Sequence, residues 1–224
     1  MIEAANIPSG ETYISAIWNH AESPKALMVL AHGAGAGMDH SFMSSLASQL
    51  CEAGISVLRF NFPYIDLGRR APDSPKKAQN AIADVVNFAS RSYPGLQLFI
   101  GGKSYGGRMA SHCAAQGSIP SVKGLVFFGF PLHAPGRDSK DRANHLNDIN
   151  IPMLFLQGTK DKLANIELIT EVCSDLRDKA HLETFESGDH SFKVPKKMGI
   201  DQEQMIGLLV EKTRKWIYTS TSSV

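Results

Sequence analysis

Nothing in this chain supports a disulfide framework or a zinc site. Its three cysteines, Cys51, Cys113 and Cys173, are odd in number, far apart and outside any CxxC spacing. Each falls in a segment that reads as helical, so the expectation is buried free thiols in a reducing compartment. Charge of one sign is missing as well. Lys and Arg number 23 against 22 Asp and Glu, a net charge of +1, and no electrostatic case exists for nucleic acid or an anionic membrane as partner. The longest apolar runs, such as Leu125-Val126-Phe127-Phe128, are far too short to span a bilayer. The first eight residues carry Glu3 and no apolar core, so they do not read as a secretory leader, and a cytoplasmic location is the expectation. Internal repeats and low-complexity segments are absent.

What is present is an ordinary globular composition, 43% hydrophobic and 20% charged over 224 residues, enough for one large domain with a sizeable core. Short β-branched or aromatic runs at residues 12–18, 26–31, 56–60, 97–100, 124–130, 153–157 and 181–185 read as strands. Several are apolar at consecutive positions, as in Leu27-Met28-Val29-Leu30 and Met153-Leu154-Phe155-Leu156. That pattern fits strands buried on both faces of a mostly parallel sheet. Helical patterns lie between them at 41–53, 75–91, 108–116, 166–179 and 201–218. The first shows Phe42, Leu46 and Leu50 as an apolar stripe, with Gly54 as its stop, and Pro75 suits the first turn of the second. The alternation predicts a single-domain, doubly wound α/β fold with a mostly parallel sheet flanked by helices. The domain is expected over 1–218, with 219–224 as a loose tail.

One run stands out: Gly102-Lys103-Ser104-Tyr105-Gly106, with a strand pattern before it and a helix pattern after it. A serine on a sharp strand-to-helix turn is held in a strained backbone conformation with its hydroxyl outward, and glycines two positions either side let neighbouring backbone pass close by. Acyl transfer through such a serine needs a base, a group to orient that base, and amide donors for the oxyanion. The chain order Ser…Asp…His is met by Ser104, Asp161 and His190. Asp161 follows the strand at 153–157 and His190 the strand at 181–185, so all three leave the sheet at one edge. Asp161 also reads as a helix N-cap, and Asp189 is a rival acid that adjoins the base too closely to orient its ring.

The turn His32-Gly33-Ala34-Gly35-Ala36-Gly37 follows another buried strand and can aim a backbone N–H over the serine. The amides of Ala34 and Tyr105 are the expected oxyanion donors, with Gly35 as the fallback and a possible substrate contact. His32 reads as structural, supporting the turn. The irregular stretches 63–74 and 131–150 follow strand carboxyl ends, where open α/β sheets place ligands. They offer Arg69, Arg70 and His133 as possible substrate contacts. Two nucleotide motifs fail. A P-loop would need glycine where Gln97 stands, and a dinucleotide fingerprint would need glycine where Met38 stands.

Taken together, His32-Gly33-Ala34-Gly35, Gly102-Lys103-Ser104-Tyr105-Gly106-Gly107-Arg108, Phe130-Pro131-Leu132-His133-Ala134-Pro135-Gly136, Gln157-Gly158-Thr159-Lys160-Asp161 and Gly188-Asp189-His190-Ser191-Phe192 resemble the α/β-hydrolase superfamily. The match is nearest to a small, lidless, dienelactone-hydrolase-like group that includes hydrolase-like domains of a vertebrate testis-expressed protein and of a chromatin-complex subunit. It spans residues 25 to 215 or thereabouts. The resemblance implies Ser104 as nucleophile, Asp161 as orienting acid and His190 as base, acting on a small acyl ester without metal or organic cofactor. Dienelactone hydrolases proper carry cysteine at the position of Ser104, so their substrate is not implied. The interval 131–150 is too short for a helical cap domain, and an open site is expected. Two alternatives accompany this reading. One is thioester or peptide hydrolysis by the same residues; the other is a catalytically silent binding or scaffold module.

Overall fold

The computed structural model describes residues 1–221. Within them one sheet holds eight strands: β1 (Ile2–Ser9), β2 (Thr12–Asn19), β3 (Ala26–Ala31), β4 (Ile55–Phe60), β5 (Leu98–Lys103), β6 (Val122–Phe128), β7 (Met153–Gly158) and β8 (Ala180–Phe185). Their spatial order is β1-β2-β4-β3-β5-β6-β7-β8. β2 pairs antiparallel with β1 and β4, and every other pairing is parallel. The helices are α1 (Ser41–Glu52), α2 (Pro63–Asp66), α3 (Pro75–Ser92), α4 (Tyr105–Ala115), α5 (Ile166–Asp175) and α6 (Gln202–Thr221).

The consecutive apolar residues of the central strands divide between two cores because side chains alternate across a sheet. Leu27, Val29 and Ala31 of β3 join the core under α3, α4 and α5, whereas Ala26, Met28 and Leu30 join the core under α1 and α6. β7 repeats this, with Met153 and Phe155 on the first side and Leu154 and Leu156 on the second. Phe127, Phe128, Phe130 and Phe155 are all core, as their pattern predicts. α1 buries the stripe Phe42, Leu46 and Leu50. α3 opens with Ser74 accepting from the Lys77 N–H and with Pro75 in its first turn.

Several bounds differ from the sequence reading. β1 is not among the expected strands. It is an edge strand hairpinned onto β2, and only Ile7 of its residues is buried, so it carries too little alternation to be read. Pro8 sits there without harm because an edge strand leaves one row of N–H groups unpaired. The helix expected over 166–179 stops at Asp175, and a separate 3-10 turn, Arg177–Lys179, begins at Arg177 with φ +55°. α6 continues to Thr221, three residues beyond the expected end of the domain. Residues 222–224 of the expected tail lie outside the described residues. The interval 131–150 holds an eight-residue 3-10 helix, Asp141–Asp148, and no cap domain.

The chain moves from β3 outward to β4, then returns to lay β5 on the other side of β3. The carboxyl ends of β3 and β5 therefore flank the point where the winding reverses, the usual place for a ligand crevice in such sheets. Ala31 is in register with Gly102 there, so the glycine turn after β3 and the serine turn after β5 emerge side by side. The β5–α4 turn closes only with glycine. A Cβ on Gly102 would lie 2.2 Å from the Gly107 nitrogen, and one on Gly106 would lie 2.6 Å from the carbonyl oxygens of Ala31 and His32. These are backbone contacts that no rotamer change relieves. Gly102→Ala is expected to destabilise the protein by about 3 kcal/mol, read as a lower urea midpoint at unchanged slope.

Candidate active site

Ser104 follows the last residue of β5 and caps α4. Its backbone sits at φ +51°, ψ −113°, a conformation that L-residues avoid and that a structure retains only where packing enforces it. The turn thereby lifts the Ser104 hydroxyl out of the sheet's end. His190 meets it, with Nε2 2.8 Å from Ser104 Oγ and Nδ1 2.7 Å from Asp161 Oδ2. The Asp161 side chain is wholly buried. It also accepts from Gln157 Nε2 at 2.6 Å and, on Oδ1, from the Leu163 N–H at 2.7 Å. An acceptor-only carboxylate on Nδ1 puts the imidazole proton on that nitrogen, so Nε2 faces the serine hydroxyl as an acceptor.

Two features hold Asp161 and His190 in place. Gly158 and Gly188 touch where the turns after β7 and β8 cross. A Cβ on Gly158 would fall 2.2 Å from the Gly188 oxygen, and Lys160 N–H donates to that oxygen at 2.9 Å. Asp189 does not touch the imidazole. Its Oδ1 accepts from the Ser191 and Lys193 N–H groups at 2.8 and 2.9 Å, which shapes the loop carrying His190. Nor is Asp161 a helix cap. α5 begins later and is capped by Asn165, which accepts from the Glu167 and Leu168 N–H groups.

The glycine turn is pinned through His32. This ring is fully buried, and burial pushes its pKa down. Nε2 accepts from the Phe62 N–H at 3.1 Å, so Nδ1 carries the proton and donates to the Gly33 oxygen at 2.7 Å. Because a trans peptide points its C=O and N–H in opposite directions, fixing the Gly33 carbonyl fixes the Ala34 N–H as well. That amide has no acceptor among the described residues, and Ala34 lines the same cleft as Ser104. The Tyr105 amide is the first of α4 and has no acceptor within the helix. Gly35 is not a spare donor, since its N–H is bound to Tyr64 Oη at 2.7 Å.

The remaining expected contacts are not brought to the site. Arg69 and Arg70 are exposed and line no part of the cleft. His133 is buried. Its Nδ1 bonds the Ala134 oxygen at 2.9 Å and its Nε2 accepts from the Asn165 N–H at 2.8 Å, so it ties a loop to the start of α5. Both irregular stretches close on themselves. Asp73 accepts from the Tyr64 N–H, and Arg142 donates to the oxygens of Pro131 and His133. The cleft opens elsewhere, between α1 and α6, with a volume of about 860 Å³. Phe42 and Met43 line it from α1, Ile206 from α6, and Leu163 from the Asp161 turn.

Three further side chains support this arrangement. Buried Arg59 on β4 donates to the Met38 oxygen at 2.7 Å and to Ser44 Oγ at 2.8 Å, fastening the end of the glycine turn to α1. Lys103 donates to the His190 oxygen at 2.5 Å. Gln157 joins Asp161 to the chain after β6, accepting from the Phe130 N–H at 3.0 Å. Gln157 is the penultimate residue of β7, and a polar residue in an otherwise apolar buried strand must have a partner. If the Asp161–His190 pair drives turnover, Gln157→Leu should lower kcat about 10- to 100-fold, the worth of one hydrogen bond to a charged group. KM should stay near the native value in steady-state kinetics.

Comparison with known proteins places this geometry in a family. The family described as alpha/beta hydrolase domain matches residues 24–218. A lidless α/β serine hydrolase from Xanthomonas campestris superposes with a TM-score of 0.76 at 19% identity, over 96% of this chain and 94% of that one. Dienelactone hydrolase from Anabaena variabilis gives 0.80 at 18% identity, covering 98% and 97%. Est1E from Butyrivibrio proteoclasticus gives 0.74 at 15%, covering 98% and 99%. The chain belongs to the α/β-hydrolase family and has the lidless, dienelactone-hydrolase-like form of its fold.

Proposed function

We propose that the protein is a serine hydrolase that cleaves small acyl esters through an acyl-enzyme. The observation that carries this reading is the bonded row Asp161–His190–Ser104, with Nδ1 2.7 Å from the carboxylate and Nε2 2.8 Å from the hydroxyl. Ser104 Oγ attacks the ester carbonyl while His190 Nε2 takes its proton. The Ala34 and Tyr105 amides receive the negative charge that develops on the carbonyl oxygen. His190, now cationic and stabilised by Asp161, returns the proton to the leaving alcohol. Water then attacks the acyl carbonyl as it gives a proton to Nε2, the acyl–Oγ bond breaks, and Nε2 passes that proton to Ser104 Oγ as the acid leaves.

The substrate's apolar part lies against Phe42, Met43 and Ile206 in a cleft that no cap covers. Short, water-soluble acyl esters suit so open a site better than long lipids do. The three free thiols suit a reducing, cytoplasmic setting. A series of p-nitrophenyl esters from acetyl to decanoyl tests the reading. The expected result is a kcat/KM maximum at a short or medium chain. Hydrolysis no faster than with the His190→Ala protein at every chain length would contradict it.

A further inference from the structure

We propose that Lys103 is the positioning residue of the base: its ammonium ties the His190 carbonyl to the end of β5, beside the nucleophile, and loss of its proton turns the site down in alkaline solution. This inference rests on the hydrolase reading and adds a regulation to it. The bond, 2.5 Å from Nζ to the His190 oxygen, joins the residue before Ser104 to the backbone of the base itself. A shift of that carbonyl displaces the imidazole from the hydroxyl it must deprotonate, and small misplacements of reacting groups have large effects on rate.

The space around Nζ is built for a cation. The Phe192 and Phe42 rings stand with their centroids 5.6 and 6.0 Å from it. The chain after β6 makes room with Gly129, at φ +75°, where a Cβ would approach Nζ to 3.2 Å. The glycine turn after β3 passes the aliphatic stem at Gly33, where a Cβ would lie 3.7 Å from Lys103 Cγ. The charged groups facing the ammonium are Asp161 and Asp189. His190 is the titratable group it holds, and α1 contributes the Phe42 ring.

Burial brings the Lys103 pKa down from 10.5 to about 8, against the opposing pull of Asp161 and Asp189. The charge-assisted bond therefore weakens within reach of physiological alkalinity. The sign for stability is opposite. Between about pH 8 and 10.5 the unfolded chain holds this proton and the native one does not, so this group's contribution to stability rises with pH across that window. An alkaline loss of activity through Lys103 is thus not an unfolding event.

The test is the rate of phosphonylation by a fluorophosphonate from pH 6 to 10, for the native protein, Lys103→Met and Lys103→Arg, with melting temperatures recorded alongside. The native rate should fall above about pH 8 while the protein stays folded. Lys103→Met should react about 10- to 100-fold more slowly at pH 7 and show no alkaline limb. Lys103→Arg, which stays charged, should carry the limb beyond pH 10. Lys103→Met decides alone if the larger side chain prevents folding. A native rate flat to pH 10, or a folded Lys103→Met protein with the native rate and limb, would overturn the proposal while leaving the hydrolase reading intact. A native protein that reacts at no pH would overturn both.

Discussion

Ser104→Ala and His190→Ala are each expected to lower ester turnover about ten-thousand- to million-fold while leaving the protein folded. The loss is large because each residue removes the same step. Without Oγ there is no nucleophile. Without Nε2 the hydroxyl keeps its proton, and an alcohol with an unperturbed pKa is a poor nucleophile near neutral pH. The two losses should not add, so the double variant should be no slower than either single one. Residual rate above water would come from the Ala34 and Tyr105 amides and from binding alone. Neither side chain belongs to the apolar cores, so melting temperatures should change little. Steady-state kinetics with a p-nitrophenyl ester, alongside thermal denaturation, separates loss of chemistry from loss of fold. A single variant within tenfold of native activity would contradict the assignment.

Asp161→Asn should be nearly as damaging, about ten-thousand-fold in kcat, although it changes one atom. Every partner of this carboxylate is a donor: Gln157 Nε2, the Leu163 N–H and His190 Nδ1. An amide in its place must set its NH₂ against one of them whichever way it is turned. If it turns the NH₂ toward His190, the ring answers by moving its proton to Nε2, which then faces Ser104 as a donor and cannot accept. If it turns the NH₂ toward Leu163, a buried donor meets a donor, which costs about 1–3 kcal/mol of stability. The Leu163 N–H cannot turn away whereas the His190 ring can move its proton, so the first orientation is favoured. It also sets the NH₂ against Gln157 Nε2, and the expected protein is folded, somewhat destabilised and almost inactive. A pH–rate profile distinguishes this from a simple loss of charge. Wrong-tautomer behaviour persists across neutral pH, and full recovery of kcat by pH 8 would contradict it.

The buried strands are legible in the sequence because apolar residues at consecutive positions have no other stable home in a short segment flanked by helices. Ser104, Asp161 and His190 are legible for a related reason: each comes after a strand, and parallel strands release their next residues at one common edge. β1 is not legible, because its pairing with β2 comes from a two-residue turn and backbone bonds rather than from a buried face. The irregular stretches 63–74 and 131–150 line no part of the cleft. Polar residues after strands look like ligand sites, yet Asp73 and Arg142 use their polarity to close those stretches internally, and His133 ties its loop to the start of α5. The cleft is hidden for the converse reason. Phe42 belongs to a helical stripe that packs on the sheet, and nothing in that periodicity marks its outer edge as the wall of a cavity. Lys103 acts through a partner that only the folded chain brings near, and Gln157 holds Asp161, four positions on, to the chain after β6. Lys103 and His190 lie 87 positions apart, a pairing no local pattern encodes.

The most direct test of the central claim, an activated Ser104, is intact-mass analysis of the native protein and Ser104→Ala after incubation with a fluorophosphonate at pH 7. One adduct per native chain and none on the folded variant is the predicted result. No adduct on folded native protein, or the same adduct on Ser104→Ala, would contradict it.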